Sequence, residues 1–226
     1  MYVKTVSKTT HPDMTPEQLI VHIARVSNPA NQMNHDTAPK LLRYCLEHGH
    51  WSPFEMVHWT VSIETSRAIA AQILRHRSFS FQEFSQRYSD ANILGRARLT
   101  EPLELRMKNA AGNRQGSGEL CASEELNELA AGVIAEAEYV YNKLIEGGVA
   151  PECARMVLPL STTTKLYMCG NIRSWIHYIY SRTYSRVQKE HRDVALAAYE
   201  LLKVEFPITA AAIQAMIDER AARMLN

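Results

Sequence analysis

Net charge is nearly absent from this 226-residue chain, in which 25 lysines and arginines face 24 aspartates and glutamates for a formal charge of +1. A chain so balanced carries no global basic field, which disfavours nucleic acid as a partner. Its local cationic clusters must act on small anions or on neighbouring subunits. Cysteine is scarce as well: Cys45, Cys121, Cys153 and Cys169 are scattered, and none form a CxxC pair. That argues against a zinc ribbon or a disulfide scaffold and fits a reducing compartment, with each thiol a small buried residue by default. No run approaches the length of a membrane span, and the first ten residues, MYVKTVSKTT, lack the apolar core of a signal peptide. A cytoplasmic protein with no membrane partner is expected. Neither GxGxxG nor GxxxxGKS/T occurs, so any dinucleotide must be held by something other than a glycine-rich loop opening a helix. Internal repeats are missing too, and 46% hydrophobic residues over this length suit one well-filled domain.

Periodicity supplies the elements. Residues 2–7 read as a strand. Thr15 followed by Pro16 opens a helix to about residue 26, through a threonine N-cap and a proline at the first helical position. Residues 39–47 read as a second helix. Residues 56–63 alternate and are rich in β-branched and aromatic side chains, a strand that feeds an apolar-periodic helix over 66–77. Residues 100–118, with KNAAGNRQGSG at 108–118, show no periodicity and read as an exposed, mobile loop. From Ser123 a capping-box pattern starts a long amphipathic helix that Gly147 and Gly148 stop. Pro151 starts a short helical turn bearing Arg155, residues 161–168 read as a strand, and helices follow over 171–180, 190–204 and 208–224. Strands and helices alternate without the tight period of a parallel βαβ sheet. The expected class is α+β, one domain over residues 1–226, with helices packed on a mostly antiparallel sheet.

The densest chemistry lies at residues 75–87, RHRSFSFQEFSQR. If residues 81–88 are extended, Glu83, Ser85 and Arg87 share one face and Phe84 points the other way. That builds an array of carboxylate, hydroxyl and guanidinium. An arginine fork fits phosphate bidentately, while neighbouring oxygens can orient the fork or a sugar hydroxyl, so the array suits a nucleotide. A cluster of arginines is more often a solvated face. Here an apolar-periodic helix aims the charges, with Gln72 one turn before His76. Arg173 and His177 are four apart and share a face, whereas Arg182, nine residues from Arg173, lies on nearly the opposite side of an ideal helix. Taken alone, His177 reads as a structural histidine and Arg155 equally well as a helix-terminal cation.

The pattern RHR, seven residues, Ser, one residue, Arg is matched without a gap and resembles the signature of the flavin-dependent thymidylate synthases. The resemblance extends in order along most of the chain through Ala24-Arg-Val-Ser27, His50-Trp-Ser-Pro-Phe-Glu55, Glu152-Cys-Ala-Arg155 before Leu158-Pro159, Asn171-Ile-Arg173, and Arg182 ahead of Gln188-Lys-Glu-His-Arg192. It implies conversion of dUMP to dTMP, with methylenetetrahydrofolate as carbon donor and NADPH-reduced FAD as hydride source, in a homotetramer with ligand sites at subunit interfaces. By the same resemblance Ser27, His50, Ser52, Glu55, His76, Arg77, Asn171, Arg173 and His177 serve the flavin. Gln72, Arg75, Glu83, Ser85, Arg87, Arg155 and Arg182 serve dUMP, and Arg182 is the catalytic residue against the uracil edge. Met56 stands where the family has histidine after Glu55, and Val187 where it has alanine before Gln188.

No protein nucleophile is expected, because no cysteine has the Pro-Cys context that the flavin-independent thymidylate synthases use. Two rival classes share some of these residues. His22, the pair His35-Asp36 and Asp193 mimic the ligand order of a metal-dependent phosphohydrolase, but the spacing is loose and no helical pattern aims His35-Asp36. A noncatalytic nucleotide or RNA binder could use the same arginines as a phosphate clamp, yet the chain lacks a basic field and an aromatic stacking platform.

Overall fold

The computed structural model describes residues 1–94, 99–101, 103–109 and 116–225. It begins with strand β1 (Tyr2–Lys8), then helix α1 (Pro16–Ala24), a single 3-10 turn at Pro29–Asn31, α2 (Ala38–Glu47) and the one-turn α3 (Ser52–Glu55). Strand β2 (His58–Ser66) runs into α4 (Arg67–Ile73), followed by β3 (Ser80–Glu83). A two-stranded ribbon, β4 (Arg106–Lys108) and β5 (Ser117–Leu120), precedes the long α5 (Glu124–Glu146) and the short α6 (Pro151–Ala154). Strand β6 (Thr163–Asn171) then leads into α7 (Ile172–Arg182), α8 (Lys189–Glu205) and α9 (Pro207–Leu225).

The main sheet has the order β1-β2-β6-β3, and every pairing in it is antiparallel. The class is the α+β expected. The central pair β2 and β6 is in register from His58 opposite Asn171 to Ser66 opposite Thr163. This ladder matters for function because α4 leaves the C-terminal end of β2 while α7 leaves the C-terminal end of β6. Helices α4, α7 and α8 pack against the sheet. At the centre Trp59 and Trp175 lie 4.7 Å apart, and Trp175 Nε1 donates to the Trp59 carbonyl at 3.0 Å, so a fully buried indole keeps its one polar group satisfied. A smaller cluster of Ala91, Leu99, Tyr141 and Ala154 secures α5.

Several boundaries moved, each for a local reason. Thr15 forms the full capping box, its hydroxyl accepting from Gln18 N at 3.2 Å while Gln18 Oε1 accepts from Thr15 N at 2.8 Å. Helix α1 nevertheless stops at Ala24, because the guanidinium of the buried Arg25 gathers the next loop, donating to Asn31 O at 3.2 Å, to Asn34 O and to Thr37 Oγ1 at 2.6 Å. Ser123 caps α5 from one side only: its hydroxyl accepts from Leu126 N at 3.3 Å, and a leucine at that position cannot reach back. Strand β6 starts at Thr163, since Thr162 is held in a turn by N–H and hydroxyl bonds to Pro159 O at 3.0 and 2.6 Å. It runs to Asn171, farther than the alternation suggested.

The mobile-loop reading of 100–118 is corrected in part. Arg106 staples the ribbon, donating to Ser117 Oγ at 2.7 Å, to Glu104 at 2.8 Å and to Glu190. Residues 102 and 110–115 of that stretch lie outside the described residues. The extended face over 81–88 is also corrected. Extension ends at Glu83, and both Tyr88 N and Ser89 N bond Ser85 O, at 3.2 and 3.0 Å, curling the chain into a turn. Glu83, Ser85 and Arg87 therefore do not form a strand-face array.

Candidate nucleotide site

Helix α7 organises the site. It is unbroken from Ile172 to Arg182, with Asn171 as N-cap accepting from Ser174 N at 2.9 Å, so its two arginines face different surroundings as the helical period required. Ser174 Oγ also donates to Ser78 O at 3.2 Å, which ties the turn after Arg77 to the first turn of α7.

Around the C-terminal end of α7 lies a cleft of about 810 Å³ lined by Gln72, Arg75, His76, Arg182, Tyr184, Arg186, Val187 and Gln188. Three guanidinia and no carboxylate line it, so it attracts an anion. Helix α4 ends at Ile73, short of the predicted boundary. Its bonds tighten to Arg75 N with Gln72 O at 3.3 Å and His76 N with Ile73 O at 3.0 Å, which turns His76 inward. Arg182 Nε donates to His76 Nε2 at 3.0 Å. Burial, and then the Arg182 charge, pull the His76 pKa down to about 4, so the ring is neutral at pH 7 and its Nε2 is a true acceptor. Behind it sits the fully buried His191, whose pKa burial and the same arginine lower to about 3. Among the described residues the hydroxyl of buried Tyr178 and Nε2 of His191 have no hydrogen-bond partner.

At the other end of α7, Arg173 pairs with Glu55 on α3, and its guanidinium lies 5.8 Å from the Trp51 ring centroid. His177 packs on the same indole at 4.4 Å, and burial followed by the Arg173 charge lowers its pKa. Ser52 opens α3, His50 lies just before it beside Tyr44 at 5.8 Å, and α3 packs against both α1 and α7. Ser27 is exposed in the turn after α1, and Arg77 is exposed beside the α7 start. Guanidinia, imidazoles, hydroxyls and an aromatic edge form a donor set that fits an anionic dinucleotide such as FAD. His76 was assigned by resemblance to this group, but its imidazole sits in the cleft with Arg182.

The remaining substrate candidates lie elsewhere. Glu83 accepts from Thr164 Oγ1 at 2.9 Å and is 3.9 Å from Arg67 Nη1. Arg67 bonds the buried Gln86 at 3.1 Å and, with Arg155, lines a separate cleft of about 300 Å³. Ser85 and Arg87 are exposed in the turn beyond β3. A single chain thus brings Gln72, Arg75 and Arg182 together, and sets Glu83 and Arg155 around Arg67. Sequence reasoning missed Trp51, Tyr184, Arg186 and His191. Trp51 lies between His50 and Ser52, and an aromatic between two candidate ligands is a usable signal; nothing local marks His191 as a contact of Gln72. Among the described residues no three histidine, cysteine or acidic side chains gather as a metal site. Asp193 pairs with Lys189 at 3.2 Å.

Fold and site define a single-domain α+β protein with arginine clusters on two faces of one helix. Residues 9–208 match the family described as thymidylate synthase complementing protein. The chain is 48% identical over 202 residues to the probable flavin-dependent thymidylate synthase of Paramecium bursaria Chlorella virus 1, an alignment covering 88% of this chain and 91% of that protein. It is 46% identical over 203 residues to the flavin-dependent thymidylate synthase of Synechocystis sp., covering 89% and 91%. To that of Thermus thermophilus it is 36% identical over 208 residues, covering 92% and 75%. The chain belongs to the flavin-dependent thymidylate synthase family.

Proposed function

We propose that this chain converts dUMP to dTMP with the two ends of α7 dividing the work, the Arg173 end holding the flavin and the Arg182 end holding the pyrimidine nucleotide. The reaction itself goes with family membership. The observation that carries the division of labour is the unbroken α7, which keeps Arg173 beside Glu55 and Trp51 and Arg182 beside His76. FAD reduced by NADPH supplies the hydride, and methylenetetrahydrofolate the carbon.

The protein's part is binding, orientation and charge. Arg182 spends its Nε–H on neutral His76, which fixes the guanidinium plane and leaves the two terminal nitrogens for the substrate. Placed against the uracil edge, that cation stabilises negative charge developing on the pyrimidine. Gln72 and Arg75 hold the same ligand from α4 and the turn after it. No thiol is needed as nucleophile: Cys45 is buried, Cys153 is exposed, and none of the four cysteines lines the cleft.

Glu83, Ser85, Arg87 and Arg155 belong to the same nucleotide set but lie outside the cleft of their own chain. A neighbouring subunit that brings its own turn over the cleft reunites them and puts the sites at subunit interfaces, in the homotetramer that the family resemblance implies. Helix α5 supports this, because its apolar positions Leu126, Leu129 and Val133 are 53%, 63% and 66% exposed. No described helix is long and apolar enough to cross a membrane.

The test is the purified protein. A tetramer by light scattering, with a flavin absorption spectrum and dTMP formed from dUMP, NADPH and methylenetetrahydrofolate, is the expected result. A colourless monomer that gains no flavin signal on titration with FAD would overturn the reading.

A further inference from the structure

We infer that His191, a fully buried residue outside the cleft lining, is a positioning residue: together with Glu190 it fixes the side-chain amide of Gln72 so that an N–H, and not the carbonyl oxygen, faces the substrate cleft. The inference rests on the proposed role of Gln72 in holding dUMP. Its basis is a chain of hydrogen bonds whose direction is forced from one end. The Glu190 carboxylate, paired with Arg106, can only accept. Gln188 Nε2 lies 3.0 Å from Glu190 Oε2, so the amide nitrogen of Gln188 must be on that side and its oxygen on the other. Gln188 Oε1 then accepts from Gln72 Nε2 at 2.7 Å. That places Gln72 Oε1 toward His191 Nδ1 at 3.2 Å, where only a protonated Nδ1 can bond it.

His191 closes the chain because it is neutral and fully buried. Its ring carries one proton, on Nδ1, and the unpaired Nε2 is the bare nitrogen left over. The two ends of the chain, Glu190 and His191, are neighbours in the first turn of α8. One turn of helix therefore grips both ends of the Gln72 amide. With Nε2 donating to Gln188 through one hydrogen, its second hydrogen is free for the cleft beside Arg75 and Arg182. Every polar group that α4, the turn after it and α7 then offer to the ligand is a donor, which matches a nucleotide whose phosphate and carbonyl oxygens are acceptors. A flipped amide would set an oxygen against one of them, a repulsive contact.

A double-mutant cycle on flavin-loaded protein tests it, with dUMP affinity read by calorimetry. His191→Leu should weaken dUMP about tenfold, and His191→Asn, whose amide nitrogen can replace Nδ1–H, should recover most of that loss. In the Gln72→Ala background His191→Leu should change affinity less than twofold. A full tenfold loss on top of Gln72→Ala means His191 acts by packing alone and overturns the inference. If Gln72→Ala by itself leaves dUMP binding unchanged, the assignment of Gln72 fails and the inference falls with it, while flavin binding and turnover still stand as separate readouts of the proposed function. Should the leucine variant not fold, ¹⁵N shifts of the His191 ring in the unaltered protein decide: Nδ1–H is expected, and Nε2–H sinks the argument.

Discussion

Arg182 Nε donates to His76 Nε2 at 3.0 Å across 106 residues of sequence, so the signature motif and the arginine proposed to face the uracil edge are one hydrogen-bonded unit. A guanidinium bonded to a histidine holds that histidine neutral, and a neutral histidine holds the guanidinium without competing for a proton. This reciprocity has measurable consequences.

Replacing Arg182 by Met removes the second of the two influences that hold the His76 pKa at about 4, leaving burial as the first. The His76 pKa should rise part of the way toward 6.5, as followed by NMR titration of its ring. The same variant should bind dUMP roughly ten- to a hundredfold more weakly, since a hydrogen bond to a charged group contributes about 1.5–3 kcal/mol. An Arg182→Met enzyme with unchanged dUMP affinity would remove Arg182 from the site.

Stability should fall in acid through the half-buried His76 and the buried His191. His76 and His191 have folded pKa values of about 4 and about 3 against an ordinary 6.5, so between these limits the unfolded chain binds more protons than the folded one. Their contribution is fully present above pH 6.5 and is lost as pH falls through 4 and toward 3. Urea unfolding at a series of pH values should show this slope, and His191→Leu should flatten it. Equal slopes in the two proteins would mean that His191 is not buried neutral.

The two ends of α7 should separate genetically. Arg173→Ala deprives Glu55 of its partner and Trp51 of its cation, and Arg77→Ala removes a neighbouring exposed charge, so both should shed flavin during gel filtration. Arg182→Ala should keep its flavin. The ratio of flavin to protein absorbance reads all three, and loss of colour in the Arg182 variant would contradict the division of labour.

Gly170→Ala should destabilise the fold. A Cβ there would stand 2.5 and 2.6 Å from two ring carbons of Phe79, which is itself wedged 5.0 Å from Trp175 and 6.0 Å from Tyr178. Overpacking of this kind costs about 1–3 kcal/mol. A lowered denaturation midpoint is expected, with partial recovery in the Gly170→Ala, Phe79→Leu double variant; a midpoint equal to the parent would mean Phe79 moves freely.

Catalysis should survive removal of every thiol. A variant with Cys45, Cys121, Cys153 and Cys169 all replaced by Ala or Ser, folded and flavin-loaded, should still form dTMP from dUMP. Loss of product with activity restored by returning one cysteine would establish a thiol nucleophile.

Local rules located most elements. Thr15 and Asn171 cap helices where short polar side chains meet apolar periodicity, and β2 follows its alternation. They failed where a distant partner competed. Residues 81–88 look extended, yet pairing with β6 stops at Glu83, and beyond it the chain turns on its own Ser85 carbonyl. The helix expected to about residue 26 ends at Ala24, where Arg25 becomes a loop staple.

The sequence by itself determined the family signature, its spacing, and that one helix carrying both Arg173 and Arg182 would set them on opposite sides, because helical period and motif spacing are properties of neighbouring residues; that the helix runs past Tyr180 to Arg182 was settled by the structure. Tertiary structure decided that His76 faces Arg182 and not the Arg173 cluster. It also decided that Glu83 and Arg155 fall outside the cleft and that His191 meets Gln72 across 119 residues. Those contacts depend on the β2–β6 register, which sets α4 beside α8, and no local preference encodes a register between strands a hundred residues apart.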